Sequence, residues 1–222
     1  MTERTIAFIP AYNEAARVAA VVAKTRPLVN EVVVIDDGST DDTSAVARAA
    51  GATVLRHAQN RGKGVAIATA LEFFGKSDAE FAVFLDADGQ HDADEIPRLV
   101  ETAQATGACI VVGSRMNDTI GMPLMRRLTN RFTSWLTGYL AQQRIPDSQC
   151  GFRLLRRGVL ADLRLSTNRF ETETEMLIQV GRAGHKVASV PIRTIYQEGR
   201  RSRIRPLRDT VRFIKLAARY WR

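Results

Sequence analysis

Two acids separated by one residue, Asp86 and Asp88, follow an apolar run that is typical of a buried strand. Where such a strand gives way to a turn, side chains at positions i and i+2 can converge, and Gln90 adds a neutral oxygen. Hard oxygen ligands suit Mg²⁺ or Mn²⁺, which complete their coordination with water and substrate phosphates. The spacing therefore predicts a divalent-metal site at these three residues. The alternative is a helix cap, for which Asp92 and Asp94 are better placed.

Two further segments contain residue types that bind nucleotides. Asp36 and Asp37 end an apolar run, and Gly38 and Ser39 follow them. This pattern fits a turn with a helix cap, or carboxylates that accept hydrogen bonds from a nucleobase and a ribose. The segment 60–64, Asn-Arg-Gly-Lys-Gly, forms a basic loop before a helix and favours phosphate. It lacks the P-loop spacing, and no Gly-x-Gly-x-x-Gly motif follows the first strand, which disfavours dinucleotide-binding Rossmann enzymes.

The elements that position these segments alternate between strand and helix patterns. Apolar, β-branched runs predict strands at residues 5–10, 31–36, 53–57, 81–86, 109–114 and 187–196. Helical periodicity predicts helices at residues 14–25, 41–50, 63–74 and 94–106, with capping residues at Asn13, Ser39 and Asp92. This alternation predicts an α/β fold with a mostly parallel central sheet and helices on both faces. Open sheets bind ligands at the carboxyl ends of their strands, where all these motifs fall.

The second half of the chain has a different pattern. After Ser114 we expect a helix at 124–142, a loop at 146–152 and a helix at about 172–182. We expect this half to cap the sheet and not to form a separate domain.

Composition narrows the class of protein. The 222 residues are 45% hydrophobic, which is enough for one α/β domain. The two cysteines, Cys109 and Cys150, belong to no Cys/His metal pattern and fit a reducing compartment. No signal peptide and no run of about 18 apolar residues is present, so we expect a soluble or peripheral protein.

The positive charge is concentrated at the C-terminus. Residues 199–222 hold nine basic side chains and one acid, which accounts for the formal net charge of +8. From residue 206 a helical pattern carries a basic stripe beside an apolar stripe: Arg208, Arg212, Lys215, Arg219 and Arg222 beside Leu207, Val211, Ile214, Ala218 and Trp221. Such a helix suits an anionic membrane surface, where each basic residue contributes about 1 kcal/mol. The alternatives are packing on the domain or in a homodimer; no recognised nucleic-acid motif accompanies the stripe, so we expect no nucleic-acid partner.

Six segments together resemble the family-2 inverting glycosyltransferases, most closely the dolichyl- and polyprenyl-phosphate sugar synthases such as the mannose synthases. The resemblance covers about residues 5–205 and rests on these segments: residues 10–14, 37–39, 60–64, 86–90, 113–115 and 147–153. It implies the A-type, nucleotide-diphospho-sugar transferase fold. It also implies a catalytic domain at residues 1–205, followed by the basic helix at 206–222.

The resemblance implies a role for each matching residue. The nucleotide would be bound by Pro10, Tyr12, Glu14, Asp37, Lys63 and Asp86, with Asp37 reading the base. Mg²⁺ or Mn²⁺ would be held against the diphosphate by Asp86, Asp88 and Gln90. The acceptor phosphate would face Arg115, Arg126, Asn130 and Arg201, and Glu175 would lie near the sugar. Asp88, Arg115 and Glu175 would be the catalytic set.

One position departs from the family pattern. The expected phosphate-binding arginine is Gln197 here, and Arg200, Arg201 or Arg203 would have to replace it. The departure weakens an assignment to mannosyl transfer onto dolichyl phosphate in particular.

The implied reaction moves mannose or glucose from GDP-mannose or UDP-glucose to a polyprenyl or dolichyl phosphate at the cytoplasmic face of a membrane. An anionic phosphate acceptor needs no general base. A hydroxyl acceptor on a saccharide or glycolipid is the alternative and needs an acid such as Glu175 or Asp147 as base. A non-catalytic module that binds sugar nucleotides is the third reading. The sequence does not fix the nucleotide, the sugar or the acceptor.

Overall fold

The computed structural model describes residues 3–116, 124–193 and 206–221, without the side chains of Arg126 and residues 206–209. The strands are β1 Thr5–Ala11, β2 Glu31–Asp36, β3 Thr53–Arg56, β4 Phe81–Phe84, β5 Ile110–Ser114, β6 Arg153–Arg156 and β7 Val187–Pro191. The α-helices are α1 Ala15–Thr25, α2 Thr43–Ala49, α3 Lys63–Lys76, α4 Ile96–Thr106, α5 Leu124–Leu140, α6 Glu171–Arg182 and α7 Pro206–Tyr220. Short 3₁₀ helices lie at Arg26–Leu28, Ala93–Glu95 and Arg157–Asp162.

The strands form one sheet in the order β3-β2-β1-β4-β6-β5-β7. Neighbours pair in parallel except at β6, which is antiparallel to both β4 and β5. Consecutive residues of β1 and β2, at 6–9 and 33–35, have no exposed surface, because helices cover both faces of the sheet. The predicted α/β fold with a mostly parallel sheet is confirmed.

Strand β6 was not predicted from the sequence. Its four residues begin and end with arginine, so they do not read as an apolar run. Arg153 is nevertheless buried, since its Nη1 donates to the carbonyl of Glu173 at 2.8 Å and its Nη2 to the carbonyl of Cys150 at 2.5 Å. The second half of the chain therefore does more than cap the sheet, because it inserts a strand between β4 and β5.

Several helices and strands begin or end at residues other than those predicted. Strand β4 ends at Phe84 and β7 at Pro191, and residues 194–196 of the predicted last strand lie outside the described residues. Asn13 does not cap α1: its φ is +52°, and its Oδ1 accepts a hydrogen bond from the backbone of Thr40 at 2.8 Å. Asp92 caps as expected, accepting the backbone N–H of Asp94 at 3.2 Å.

Helix α7 packs on α5 and α6. Its inward face contributes Leu216 and Ala217, with Phe213 and Tyr220 at the edge, to a small core completed by Leu136, Leu140 and Ile178. The packing alternative for this helix is thereby observed for one of its faces. Within the described residues, no helix combines the length and the apolar content that crossing a bilayer requires.

Candidate active site

The polar segments converge because of strand direction. Strands β1, β2 and β4 run in parallel, so the residues after Ala11, Asp36 and Phe84 emerge at one edge of the sheet. Strand β6 runs the opposite way, and its first residue, Arg153, pairs with Phe84. The segment 147–152, which precedes β6, therefore arrives at the edge where the parallel strands end.

A partly buried ionic chain connects α3, α6, β6 and the segment after β4 at this edge. The ammonium of Lys63, at the start of α3, lies 2.7 Å from Asp86 Oδ1 and 3.1 Å from Glu173 Oε2 at the start of α6. His91 Nε2 lies 3.2 Å from the other oxygen of Asp86, and Arg153 lies 3.7 Å from Glu173 Oε1. The chain thus contains two carboxylates and two permanent cations, with His91 at one end.

The charges in this chain hold one another ionised. Burial by itself would raise the pKa of Asp86, but the charge of Lys63 and the hydrogen bond from His91 hold it well below its ordinary value. Burial likewise opposes the charge on Lys63, yet the carboxylates of Asp86 and Glu173 raise the pKa of its ammonium. Asp86 is therefore a carboxylate and Lys63 an ammonium throughout the physiological pH range.

Gly151 lets a loop approach this chain closely. A Cβ at this position would lie 2.9 Å from Asp86 Oδ2 and 3.1 Å from Lys63 Nζ. Because real side chains do not tolerate a contact of 2.9 Å at Cβ, any other residue would displace the Asp86 carboxylate or the loop.

The donor set around Asp86 fits a divalent cation that is shared with a phosphate. Asp88 Oδ1 accepts the backbone N–H of Gln90 at 2.9 Å, which fixes the turn after β4. Within the described residues no group of three His, Cys, Asp or Glu side chains could enclose a metal ion by itself. Two carboxylates and one amide follow one another in this segment, and Mg²⁺ is commonly bound by one or two such carboxylates with water and substrate phosphates as the remaining ligands.

The second acidic pair organises loops. Asp37 accepts the backbone N–H groups of Arg61 at 2.9 Å and Gly62 at 2.7 Å, and its Oδ1 lies 2.8 Å from His57 Nδ1. Asp36 accepts the backbone N–H of Ser39 at 2.8 Å. The turn interpretation is therefore observed for both acids. A carboxylate has about four acceptor sites, so Asp37 retains capacity for a further donor such as a base.

The other predicted nucleotide residues lie at the end of β1. Pro10 and Tyr12 are half-buried, and Glu14 is buried with its carboxylate 3.2 Å from Arg17 Nη1. The backbone N–H of Glu14 donates to Thr43 Oγ1 at 2.9 Å, which ties the start of α1 to the start of α2. Both helices thus open beside the acids that end β2.

A second polar cluster lies beside the first. Arg115 binds Asp147 through two bonds, Nε to Oδ2 at 2.9 Å and Nη2 to Oδ1 at 3.0 Å. Asn130, on α5, donates to Asp147 Oδ1 at 3.1 Å. Burial would raise the pKa of Asp147, but the bonds from Arg115 lower it, and burial raises the pKa of Cys150 nearby to about 11. The cluster thus holds an ionised pair beside a neutral thiol.

The predicted acceptor residues are only partly brought together. Arg115 and Asn130 share the carboxylate of Asp147. Arg126 lies on α5, but its side chain is not among those described, and Arg201 lies outside the described residues.

Glu175 lies away from the ionic chain. Its Oε2 accepts the backbone N–H groups of Ser166 at 2.9 Å and Thr167 at 3.0 Å, and its Oε1 accepts the hydroxyl of Ser166 at 2.6 Å. Burial would raise the pKa of Glu175, but these bonds lower it. Glu173 is the acid of this helix that contacts Lys63, and sequence reasoning did not select it. Residues two apart on a helix point about 200° apart, so the rotation of α6 about its axis decides which of the two acids faces Lys63.

Comparisons with known proteins give a consistent result. The sequence model of glycosyl transferase family 2 matches residues 6–164. The UDP-N-acetylglucosamine–dolichyl-phosphate N-acetylglucosaminyltransferase of Methanococcus voltae is 31% identical over 213 residues, covering 86% of this chain and 85% of that protein. The polyprenol monophosphomannose synthase of Mycolicibacterium smegmatis is 28% identical over 205 residues, covering 86% and 77%.

A solved structure shares the fold. The glucosyl-3-phosphoglycerate synthase of Mycobacterium tuberculosis, crystallised with Mn²⁺, UDP and glucosyl-3-phosphoglycerate, superposes with a TM-score of 0.71 at 22% identity. The superposition covers 99% of this chain and 79% of that one. At this identity the likeness establishes the A-type fold alone.

Proposed function

The chain belongs to glycosyl transferase family 2, and we propose that it transfers a hexose, mannose or glucose, from a nucleotide diphosphate sugar to a polyprenyl or dolichyl phosphate. The relatives from Methanococcus voltae and Mycolicibacterium smegmatis are named for transfer to dolichyl phosphate and for making a polyprenol phosphomannose. Their names differ in the sugar and agree on the lipid carrier. The proposed reaction takes place at the cytoplasmic face of a membrane, with the protein bound peripherally.

One observation carries the proposal: a single loop touches both polar clusters. Asp147 binds Arg115, and Gly151 lies against Asp86 and Lys63. Four residues of fully extended chain span at most about 14 Å, so the two clusters lie within that distance along the loop. A donor diphosphate at one cluster and an acceptor phosphate at the other would be close enough for direct transfer.

The donor would lie at the first cluster. We propose that Pro10, Tyr12, Glu14 and Asp37 line the nucleoside pocket, and that Lys63 turns its ammonium to the diphosphate. As the bond from the anomeric carbon breaks, negative charge grows on the leaving oxygen and the sugar becomes oxocarbenium-like. A divalent cation held by Asp86, Asp88 and Gln90 would supply Lewis-acid stabilisation of that leaving group.

The acceptor would lie at the second cluster. Arg115 and Asn130, with Arg126 and Arg201, are proposed to bind and aim its phosphate. A lipid phosphate is already anionic and needs no base. The acids that could act as base for a hydroxyl, Asp147 and Glu175, both have a lowered pKa and are fully engaged in hydrogen bonds, which makes them weak bases. Their state favours the phosphate acceptor over the hydroxyl alternative.

To test this proposal, the protein is incubated with a labelled donor and a lipid acceptor. The donor is GDP-mannose, UDP-glucose or UDP-N-acetylglucosamine, and the acceptor is a polyprenyl phosphate or the matching polyprenol. We expect a lipid-linked sugar from the phosphate only, and no product in excess EDTA or with Asp88→Asn. Asp94→Asn is the matched control, because Asp94 lies six residues further on and only pairs with Lys24 at the surface.

Two results would contradict the proposal. Transfer to the polyprenol in preference to its phosphate would establish the hydroxyl-acceptor alternative. Nucleotide binding without turnover on either lipid would identify a module that binds sugar nucleotides.

A further inference from the structure

Helix α5 has a second apolar side, which faces away from the protein. Its buried side contains the polar residues Asn130, Ser134 and Thr137 beside the apolar Leu136 and Leu140. Its exposed side is apolar: Leu124, Met125, Leu128, Phe132, Trp135 and Tyr139. Trp135 keeps 63% of its surface exposed and Phe132 keeps 59%. A surface helix normally buries its apolar stripe, so this orientation indicates that the outer stripe has an apolar partner outside the chain.

Helix α7 continues the same surface. Val211 and Ile214 on α7, and Trp221 directly after it, are exposed beside the face that packs on α5 and α6. The rings of Tyr139 and Trp221 lie 5.7 Å apart, which joins the two helices. Along α5 the rings of Phe132, Trp135 and Tyr139 follow one another at 6.0 and 6.3 Å. We name this surface, the six exposed apolar residues of α5 with Val211, Ile214 and Trp221, the aromatic face.

The charged side chains of the described segments that form the aromatic face are positive. Neither segment 124–140 nor segment 210–221 contains an acid. Arg127 and Arg131 are exposed on α5, and Lys215 and Arg219 on α7. Two copies of this surface in contact would bring like charges together, whereas an anionic lipid surface is complementary to them.

From these features we infer that the aromatic face docks on an anionic bilayer, with α5 lying in the plane of the interface. Aromatic side chains flanked by basic ones are the composition that binds this region of a membrane. The bilayer contact therefore extends to α5 and is not confined to the C-terminal helix.

The inner side of α5 connects the docking surface to the proposed acceptor cluster. That side carries Asn130, which binds the Asp147 carboxylate that also holds Arg115. A helix with its side chains is about 10 Å across, so this cluster lies about one helix diameter from the lipid. A lipid phosphate could reach it without leaving the membrane. The docking stands on the surface alone, while its link to the acceptor rests on the proposed function.

The protein contains its own reporter for this docking. Its two tryptophans, Trp135 and Trp221, both lie on the aromatic face and are 63% exposed. Adding vesicles with about one third anionic phospholipid should shift tryptophan emission to the blue, and brominated lipids should quench it. Neutral vesicles, or high salt, should weaken both effects, because surface attraction fades within about 8 Å at physiological ionic strength.

Point substitutions test the contribution of α5. Removing α7 would also uncover Leu136 and Ile178, so Phe132→Ser together with Leu128→Ser is the cleaner change and leaves both reporters in place. We expect vesicle partitioning to fall at least tenfold. Phe170→Ser is the matched control, since Phe170 is exposed at the start of α6, outside the aromatic face, and it should partition like the wild type.

The outcomes separate this inference from the proposed function. Wild-type protein that neither sediments with anionic vesicles nor changes its emission would overturn the docking. A blue shift that depends on protein concentration without lipid, with a dimer in sedimentation velocity, would assign the face to a second copy and overturn it as well. Vesicle binding that depends on Phe132 and Leu128, in a protein that transfers no sugar to lipid phosphate, would sustain the docking and reject the proposed function.

Discussion

Lys63 places a cation of the protein itself against the carboxylate that is proposed to bind a metal. We predict that Lys63→Met raises the Mn²⁺ affinity of the nucleotide-free protein by about tenfold, because two cations compete for one carboxylate and a unit charge at ~4 Å is worth about 1–4 kcal/mol. The affinity for the nucleotide diphosphate should fall, since the ammonium is lost. Titration of Mn²⁺ followed by electron paramagnetic resonance measures the Mn²⁺ affinity, and isothermal titration calorimetry measures the affinity for the nucleotide diphosphate.

Lys76→Met is the control for this prediction. Lys76 ends the same helix and pairs with Glu72 at the surface, 2.6 Å away. It should leave both affinities unchanged. If Mn²⁺ affinity is equal in the wild-type protein and Lys63→Met, Lys63 does not compete with the metal ion for Asp86.

The Arg115–Asp147 pair should make stability depend on acid pH. The pKa of Asp147 is lowered in the folded protein, so the pair stabilises the fold above the unfolded pKa of about 3.9, and this contribution is lost as pH falls through the folded pKa. Asp147→Asn should cost about 3 kcal/mol at pH 7, because Arg115 stays buried without its counter-charge. The two proteins should converge in stability as the pH falls below the folded pKa of Asp147.

Urea unfolding across a pH series measures this difference. Asp78→Asn serves as the comparison, because the Asp78–Arg4 pair is exposed and worth less than about 1 kcal/mol. A stability gap between wild type and Asp147→Asn that does not narrow anywhere as the pH is lowered from 7 would mean that the charge of Asp147 contributes nothing.

At the scale of the element, the start of α6 separates two acids by function. Glu173→Gln should weaken donor binding by about tenfold, because Lys63 loses one of its two carboxylates. Glu175→Gln should lower the unfolding temperature and leave turnover nearly unchanged, because its oxygens hold the backbone of Ser166 and Thr167. Donor-dependent kinetics and thermal melts of the two variants decide this. A larger loss of turnover in Glu175→Gln would place that residue at the sugar, as the family resemblance implies.

Some helices and strands were predicted from the sequence more accurately than others. Strands β1, β2 and β5 were predicted because they are buried on both faces and appear as unbroken apolar runs. Strand β6 was missed because its buried Arg153 donates to the carbonyls of Cys150 and of Glu173, and the contact with Glu173, 20 residues away, is not visible in any local pattern. For α7, the predicted apolar stripe contains Val211 and Ile214, which are exposed, and a second side of the helix carries Leu216 and Ala217. Only the packing of Leu216 and Ala217 on Ile178 shows which of these two sides faces inward.

For the whole molecule, the sequence predicted the sheet edge and the motifs on it, because strand direction follows from alternation with helices. It did not predict that the loop at 147–152 joins two clusters, since that depends on the reversed direction of β6. It also did not predict the exposed stripe of α5. Periodicity shows that a helix has an apolar side, and only tertiary structure shows whether that side faces the core.

The place of β6 in the sheet also determines which strands can pair while the chain is still being synthesised. β6 lies between β4 and β5 but follows both in the chain. When a nascent chain has emerged only as far as β5, the first four strands can already pair with one another. Strand β5 still lacks both of its neighbours, β6 and β7. Pairing across such sequence distances is slow. The segments that carry Asp37, Lys63 and Asp86 can therefore take their places before Asp147, Arg153 and Glu173 have been synthesised, and both polar clusters are completed only by the second half of the chain.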